Sequence, residues 1–320
     1  MNSAVPIEQP GSRRLWVGMA VCAAAAVIAL AARFGGLETL FYDAFQRYQH
    51  REVSEQIILV TADATAAAPT DIWSAPGFSQ LVNKLSEHNP AVIAATQTLR
   101  LPEVPPAEQI AALAELQKQA ARSGSPAEEL ERLATQVAGF RRNFDEQREL
   151  SKVLSAAGNV TLPVRLREFG EAETLSAPCA AQEVNRKGIE RSQLVSLAKL
   201  PRVSTPPAAL CAATTRIGFH HYAADPDGIV RSAKLVVDAN GVLLPSLPLA
   251  IVAALEKNNA GIVVAGDNAV TLQDRIFNTA GNFAVYTRFY AGDQIDGIFR
   301  QVTAAAVLND EVPSDLLRGR

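Results

Sequence analysis

Asp225, Asp227 and Arg231 come nearest to chemistry in this chain, inside the stretch Asp225-Pro226-Asp227-Gly228-Ile229-Val230-Arg231. Carboxylates at alternating positions ahead of a glycine resemble the opening of a calcium loop, where they supply hard oxygen ligands. The later acid that completes such a loop is missing. A tight turn is therefore expected, with Arg231 within reach of the two acids or of an anionic ligand. Of His50, His88, His220 and His221, only the last two adjoin. Neighbours on a strand point to opposite faces and do not chelate one ion, so no metal site is expected. The Gly-x-x-x-x-Gly-Lys-Ser/Thr loop, the Gly-x-Gly-x-x-Gly turn and the Gly-x-Ser-x-Gly elbow are all absent, which removes the common nucleotide and hydrolase signatures; no cofactor is expected. Trp16 and Trp73 are too few and too far apart to form a base-stacking platform. The net charge of -3, without a dense run of Lys and Arg, offers nothing to a phosphate backbone, so nucleic acid is not an expected partner.

Cys179 and Cys211 lie in APCAAQ and ALCAAT. A bond between them would close a loop of about 32 residues and contribute roughly 3–4 kcal/mol. Two buried thiols are the alternative, since no Cys-x-x-Cys spacing suggests redox or zinc chemistry.

These residues must be positioned by elements that the apolar pattern predicts. LETLFYDAFQRY, from Leu37, has helical spacing. Ile57–Val60 is a short aliphatic run that reads as a strand buried on both faces, with Asp63 just beyond its end. Phe78, Leu81, Val82 and Leu85 form a helix stripe before the apolar run AVIAA, so strand, helix and strand suggest a parallel pair. Residues 105–157 predict a helical hairpin broken at Gly124-Ser125-Pro126, with Leu130, Leu133, Val137, Phe140 and Phe144 along one face of its second arm. The hairpin either packs on its own domain or faces a partner. Gly158-Asn159 caps it ahead of the strand VTLPVRL. Periodicity is lost between Phe169 and Pro207, which reads as a long surface excursion. Asp227-Gly228 and Asn240-Gly241 mark hairpin turns of a β-meander, and Ser246 caps a helix from Leu247 to Lys257.

With 48% hydrophobic and 20% charged residues, the 320-residue chain has enough apolar material for a sizeable core. One part of that material is set apart. Leu15–Ala32 holds no charged residue and follows Arg13 and Arg14. As a helix it would be about 27 Å long, enough for a bilayer core, and the arginines would hold residues 1–14 in the cytoplasm. A transmembrane helix over residues 15–34 is expected, with residues 35–320 outside the inner membrane. Two rivals are cleavage after the small-x-small Ala29-Leu30-Ala31 and lipid attachment at Cys22, which lies mid-run behind Val21.

The block RIGFHHYAADPDGIVRSAKLVVDANGVLLPSLPLAIVAAL resembles the most recognisable part of the CHASE2 family, with Gly218, Phe219, Asp225, Asp227, Gly228, Arg231, Pro245, Ser246 and Leu247 all fitting. LETLFYDAFQRY resembles that family's juxtamembrane helix, IILVTAD its first strand and AGNVTLPV another strand. The resemblance implies an extracytoplasmic ligand-sensing domain, entered by one membrane helix and followed by others that lead to a kinase or cyclase output. It also implies a further C-terminal portion beyond Arg320. Two departures stand out. The family's Trp-Pro-x-x-Arg motif is reduced to DIWSAPGFSQ, which keeps Trp73 but not the basic residue, and Thr96 of IAAT stands where an acid is common.

The fold expected is α/β, a mixed central sheet with flanking helices, a helical-hairpin insertion and one N-terminal transmembrane helix. The function expected is a membrane-anchored sensor module, not itself an enzyme, whose partners are the bilayer, a small-molecule or protein stimulus and a second copy in a homodimer. Ligand-binding candidates are Asp63, Trp73, Thr96, Asp225, Asp227 and Arg231, the first and third because open α/β sheets bind ligands at carboxyl strand ends. A structural protein of the cell envelope, acting through the helical hairpin, is the rival reading.

Overall fold

The computed structural model describes residues 17–27, 36–48, 53–62, 71–123, 126–166, 174–186, 197–199, 202–220, 222–256, 261–265, 269–279, 283–288, 299–313 and 315–319. The chain divides into two units, Met1–Val53 with Arg288–Ile298 and Ser54–Thr287 with Phe299–Arg320. In the first unit, residues 17–27 are helical (α1) and exposed throughout, and α2 spans Gly36–Tyr48. Among the described residues, no helix is long and apolar enough to cross a membrane. The tail 1–14 and the ends of the expected span lie outside the described residues.

The second unit begins with β1 (Ile58–Thr61), α3 (Ala75–Glu87), β2 (Ile93–Ala94), α4 (Ala107–Arg122), α5 (Ala127–Ala157) and β3 (Val160–Leu166). Next come α6 (Ala177–Ala180), β4 (Asn185–Arg186), β5 (Val203–Ser204), α7 (Ala208–Ala213) and β6 (Arg216–His220). Then follow β7 (Ser232–Lys234), β8 (Val236–Ala239), β9 (Val242–Pro245), α8 (Leu247–Leu255), β10 (Ile262–Ala265) and β11 (Ala269–Leu272). Last are β12 (Arg275–Asn278), β13 (Ala284–Tyr286), β14 (Arg300–Thr303) and α9 (Ala304–Leu308).

The class is mixed α/β, but the strands form several small sheets instead of one central sheet. β3 is paired by β2, β5 and β6; β12, β11, β10 and β4 make a second sheet; β1–β14, β7–β13 and β8–β9 are separate pairs. Most of these strands are only two to five residues long. The parallel pair expected between the first two apolar runs does not form, because β1 pairs with β14 in the register Ile58↔Arg300 to Thr61↔Thr303. Nor is β1 buried on both faces, since Leu59 remains 38% exposed.

Local signals explain the helices around the core. The Ser74 hydroxyl accepts from Gly77 N at 3.2 Å, Pro76 falls in the first turn, and α3 buries Phe78, Leu81, Val82 and Leu85. Each such side chain contributes about 1.5–3 kcal/mol relative to exposure. They join Leu150, Val153 and Leu154 of α5 and Val160, Leu162 and Val164 of β3 in one core. The hairpin α4–α5 therefore packs on its own domain at the carboxyl end of α5, while its upper part closes on itself through Ile110, Ala114 and Val137. Gly124 and Ser125 of the expected break lie outside the described residues; Gly158, with φ 66°, ends α5 in the left-handed region. A second core joins Val236, Leu243, Leu249, Ile262, Val264, Val270 and Phe283.

The stretch 169–207 is not a simple surface excursion. Leu175, Cys179, Val184, Leu197 and Val203 are buried, and these singly spaced apolar residues tack it to the two cores without any periodicity to betray them. The meander is likewise only half present. Asn240 (φ 50°) and Gly241 (φ 99°) turn β8 into β9 as a hairpin, with the Asp238 carboxylate accepting from Gly241 N at 2.7 Å. Asp227-Gly228, by contrast, joins β6 to β7, which belong to different sheets.

Candidate functional site

β3 contains a proline where a buried strand would ordinarily need every donor. Ala95 N donates to Thr161 O at 3.0 Å, and Arg165 pairs with Ser204, so Thr161 and Arg165 face the same edge of the strand. Backbone groups alternate along a strand, which turns the carbonyl of Pro163, between them, to that edge as well. Without an N–H, Pro163 cannot complete the ladder there. β2 ends at Ala94, level with Thr161, and antiparallel β5 ends at Ser204, level with Arg165, so among the described strands the edge is left open between them. On the opposite edge β6 runs parallel, with Pro163 level with Gly218.

A cavity of about 450 Å³ occupies this gap. Leu162 and Pro163 form its floor, and its walls come from the loop after β2, from α5, and from the segments that precede α6 and α7. Thr98, Thr174, Ser176, Ser204 and Thr205 line it, together with Glu103, Gln147 and the apolar Leu99, Leu101 and Val104. Among the described residues, no Lys, Arg or His lines it. The walls are braced from behind. Gln147 Nε2 donates to Pro102 O at 2.8 Å, and Arg100 N donates to Trp73 O at 2.7 Å. A disulfide joins Cys179 to Cys211, with Cα atoms 5.1 Å apart, and so links α6 to α7. The Ser176 hydroxyl donates to Cys179 Sγ at 2.9 Å. Gln182 ties the same two helices to β6, donating to Cys211 O at 2.8 Å and accepting from Ile217 N at 2.7 Å.

The acidic turn is a separate arrangement. Arg231 is buried, and its Nη1 donates to Asp225 Oδ2 and to Asp227 Oδ1, both at 2.9 Å, while Nη2 donates to Asp227 Oδ2 at 2.6 Å. Hydrogen bonds from that guanidinium, helped by Ile229 N, hold the Asp227 carboxyl at about 2, below the usual 3.8. Thr287 N then donates to Arg231 O at 2.9 Å, and Thr287 Oγ1 to Val230 O at 2.9 Å, fastening the turn beside β13. The two carboxylates thus face a cation supplied by the chain. Among the described residues there is no cluster of His, Cys, Asp and Glu that would hold a metal.

A family model for the CHASE2 domain matches residues 20–320. The chain belongs to the CHASE2 family. CHASE2 is an extracytoplasmic sensor domain family. No curated protein and no solved structure matches the chain.

In this CHASE2 domain the six candidate residues fall in three places. Asp63 lies outside the described residues. Trp73 is half-buried against the first core, and its carbonyl braces the loop on which exposed Thr96 stands. Asp225, Asp227 and Arg231 come together at the acidic turn. None of these described five is among the residues that line the cavity. The Ser and Thr residues that do line it are not legible in the sequence, because they lie on three segments with no common spacing. The available signal was Pro163 inside the otherwise buried run VTLPVRL, since a proline there requires an open edge.

Proposed function

We propose that this CHASE2 chain is the sensing module of a membrane-anchored signalling protein, with residues 15–34 threading the inner membrane and the cavity beside Pro163 receiving the stimulus. Its output is of the kinase or cyclase type, and the module itself performs no catalysis. The cavity carries this reading. Its volume of about 450 Å³ falls within the roughly 300–1,000 Å³ of small-molecule sites. Five hydroxyl-bearing residues, with no Lys, Arg or His among the described lining residues, suit a small neutral, hydroxyl-bearing molecule, and Glu103 disfavours an anion. Three of its walls converge on Trp73, the disulfide and α5, so filling it favours one arrangement of these elements over another, as a two-state sensor requires.

Two experiments test the reading. Ligand-observed NMR on the full chain in nanodiscs, with neutral polyols and sugars against size-matched carboxylates, should detect binding of neutral compounds only. The Thr98→Trp variant, which places an indole in the mouth, should weaken that binding at least tenfold. Equal signals from both chains would refute the cavity as the stimulus site. For the anchor, a reporter fused after Arg320 should be active only outside the cytoplasm and one before Arg13 only inside. The reverse pattern would remove the reading.

A further inference from the structure

The helix α2 is turned inside out. Phe41, Ala44, Phe45 and Tyr48 recur at the spacing of one helix face, and all four are exposed: Phe41 by 74%, Phe45 by 59% and Tyr48 by 85%. Thr39, Tyr42, Asp43 and Gln46 are half-buried instead, and each already has an interaction partner. An amphipathic helix of a water-facing domain shows the opposite arrangement. At the 150–250 Å² that an aromatic side chain can bury, the three rings leave about 330–550 Å² exposed on one helix face. That is as large as the largest apolar patch on an ordinary monomer, and it needs a cover.

The chain itself indicates which cover. Gly36 follows Ala32, the end of the apolar run, by four residues, which reach at most about 14 Å when fully extended. The headgroup layer on each side of a bilayer is roughly 5–8 Å thick. A helix tethered that closely begins in or just above this layer, where aromatic rings are favoured. α2 is also short of positive charge, with Glu38 and Asp43 against Arg47, so apolar insertion and not attraction to anionic lipid would hold it. We infer that α2 lies along the outer headgroup layer of the membrane with Phe41, Phe45 and Tyr48 inserted, so that it rides on the lipid surface and does not stand clear of it. This rests on the proposal that residues 15–34 span the bilayer.

Depth-dependent quenching tests it on the full chain in phosphatidylcholine proteoliposomes. One variant carries Trp73→Phe alone and reports on the apolar run through Trp16. A second carries Trp16→Phe, Trp73→Phe and Phe45→Trp and reports on α2. The Phe45→Trp indole should lose at least half its emission to lipids brominated near the headgroups, more than to lipids brominated near the chain ends, and equally with or without anionic lipid. A Tyr48→Trp variant should repeat the result should the Phe45→Trp chain fail to fold. Quenching of Trp16 without quenching on α2 would overturn the inference and leave the anchor standing. Quenching at neither position would overturn the anchor as well. Phe41→Cys cross-linking between copies, with no quenching on α2, would assign the face to a second copy and likewise overturn the inference.

Discussion

Gly218 lies where β6 meets the start of α8, and replacing it by alanine should be among the most damaging single-methyl changes in the chain. A Cβ at this position would stand 2.6 Å from Leu247 Cα, 2.8 Å from Leu247 N and 2.9 Å from the Ser246 carbonyl carbon. All three are backbone atoms, so no side-chain rotation relieves the contact. Carbon atoms pack at about 3.5–4.0 Å, so β6 and α8 must separate by roughly 1 Å. Neither can move cheaply. β6 is pinned to β3 over five residue pairs, with Ile217 and Phe219 buried, and α8 is fixed by the Ser246 cap and by buried Leu247 and Leu249. Overpacking of this kind costs about 1–3 kcal/mol, and a backbone-on-backbone contact belongs at the upper end. At about 2.1 cal/mol/K of unfolding entropy per residue, 3 kcal/mol corresponds to a melting temperature lower by about 4–6 °C. Gly139, inside α5, is the internal comparison, since a Cβ there would meet nothing within 4 Å. Gly139→Ala should raise the melting temperature by about 1–2 °C, because glycine costs a helix interior about 0.5–1 kcal/mol. Thermal unfolding followed by circular dichroism on the two variants and the parent reads both signs. A Gly218→Ala chain that melts within 1 °C of the parent would refute the packing argument.

Three other outcomes are expected. Asp227 is held at about 2 against 3.8 in the unfolded chain, so its stabilising effect is complete above 3.8 and is lost as pH falls through 2; urea midpoints measured from pH 5 to pH 2 should fall less steeply in Asp227→Asn than in the parent. Removing the Cys179–Cys211 bond, with its sequence separation of 32, in a double alanine variant should cost roughly 3–4 kcal/mol in denaturant titrations, and an unchanged midpoint would show that the bond does not constrain the unfolded chain. Ser246→Ala removes the hydroxyl that accepts from Leu249 N and should lower stability by about 1 kcal/mol, which chemical denaturation resolves.

What could be read from the sequence was what nearest neighbours decide. Ser246 caps α8, Gly158 ends α5, and Asn240-Gly241 turns a hairpin, because each depends on dihedral preferences and hydrogen bonds a few residues long. The family resemblance, resting on the block around Gly218 to Leu247, was legible for the same reason: its residues serve one contiguous turn, strand and cap. Partnership across the chain was not legible. Nothing in Ile58–Thr61 announces that it pairs with Arg300–Thr303, since a short aliphatic run specifies a strand but not which strand lies beside it. The cavity escaped for a related reason. It is made by an interruption in a ladder, visible only once β2, β3 and β5 are in register, and its hydroxyls arrive from separate segments.

The ladder between β1 and β14 also bears on how the protein is made. Ile58 cannot meet Arg300 until the 242 residues from Leu59 to Arg300 have been made. At the usual 5–20 residues per second, that delay is about 12–48 s. Throughout it, an aliphatic strand waits with both edges unsatisfied, a condition that invites pairing with the wrong chain. Mispairing of the newly made Ile58–Thr61 segment is therefore expected to be most frequent when synthesis slows before Arg300 emerges.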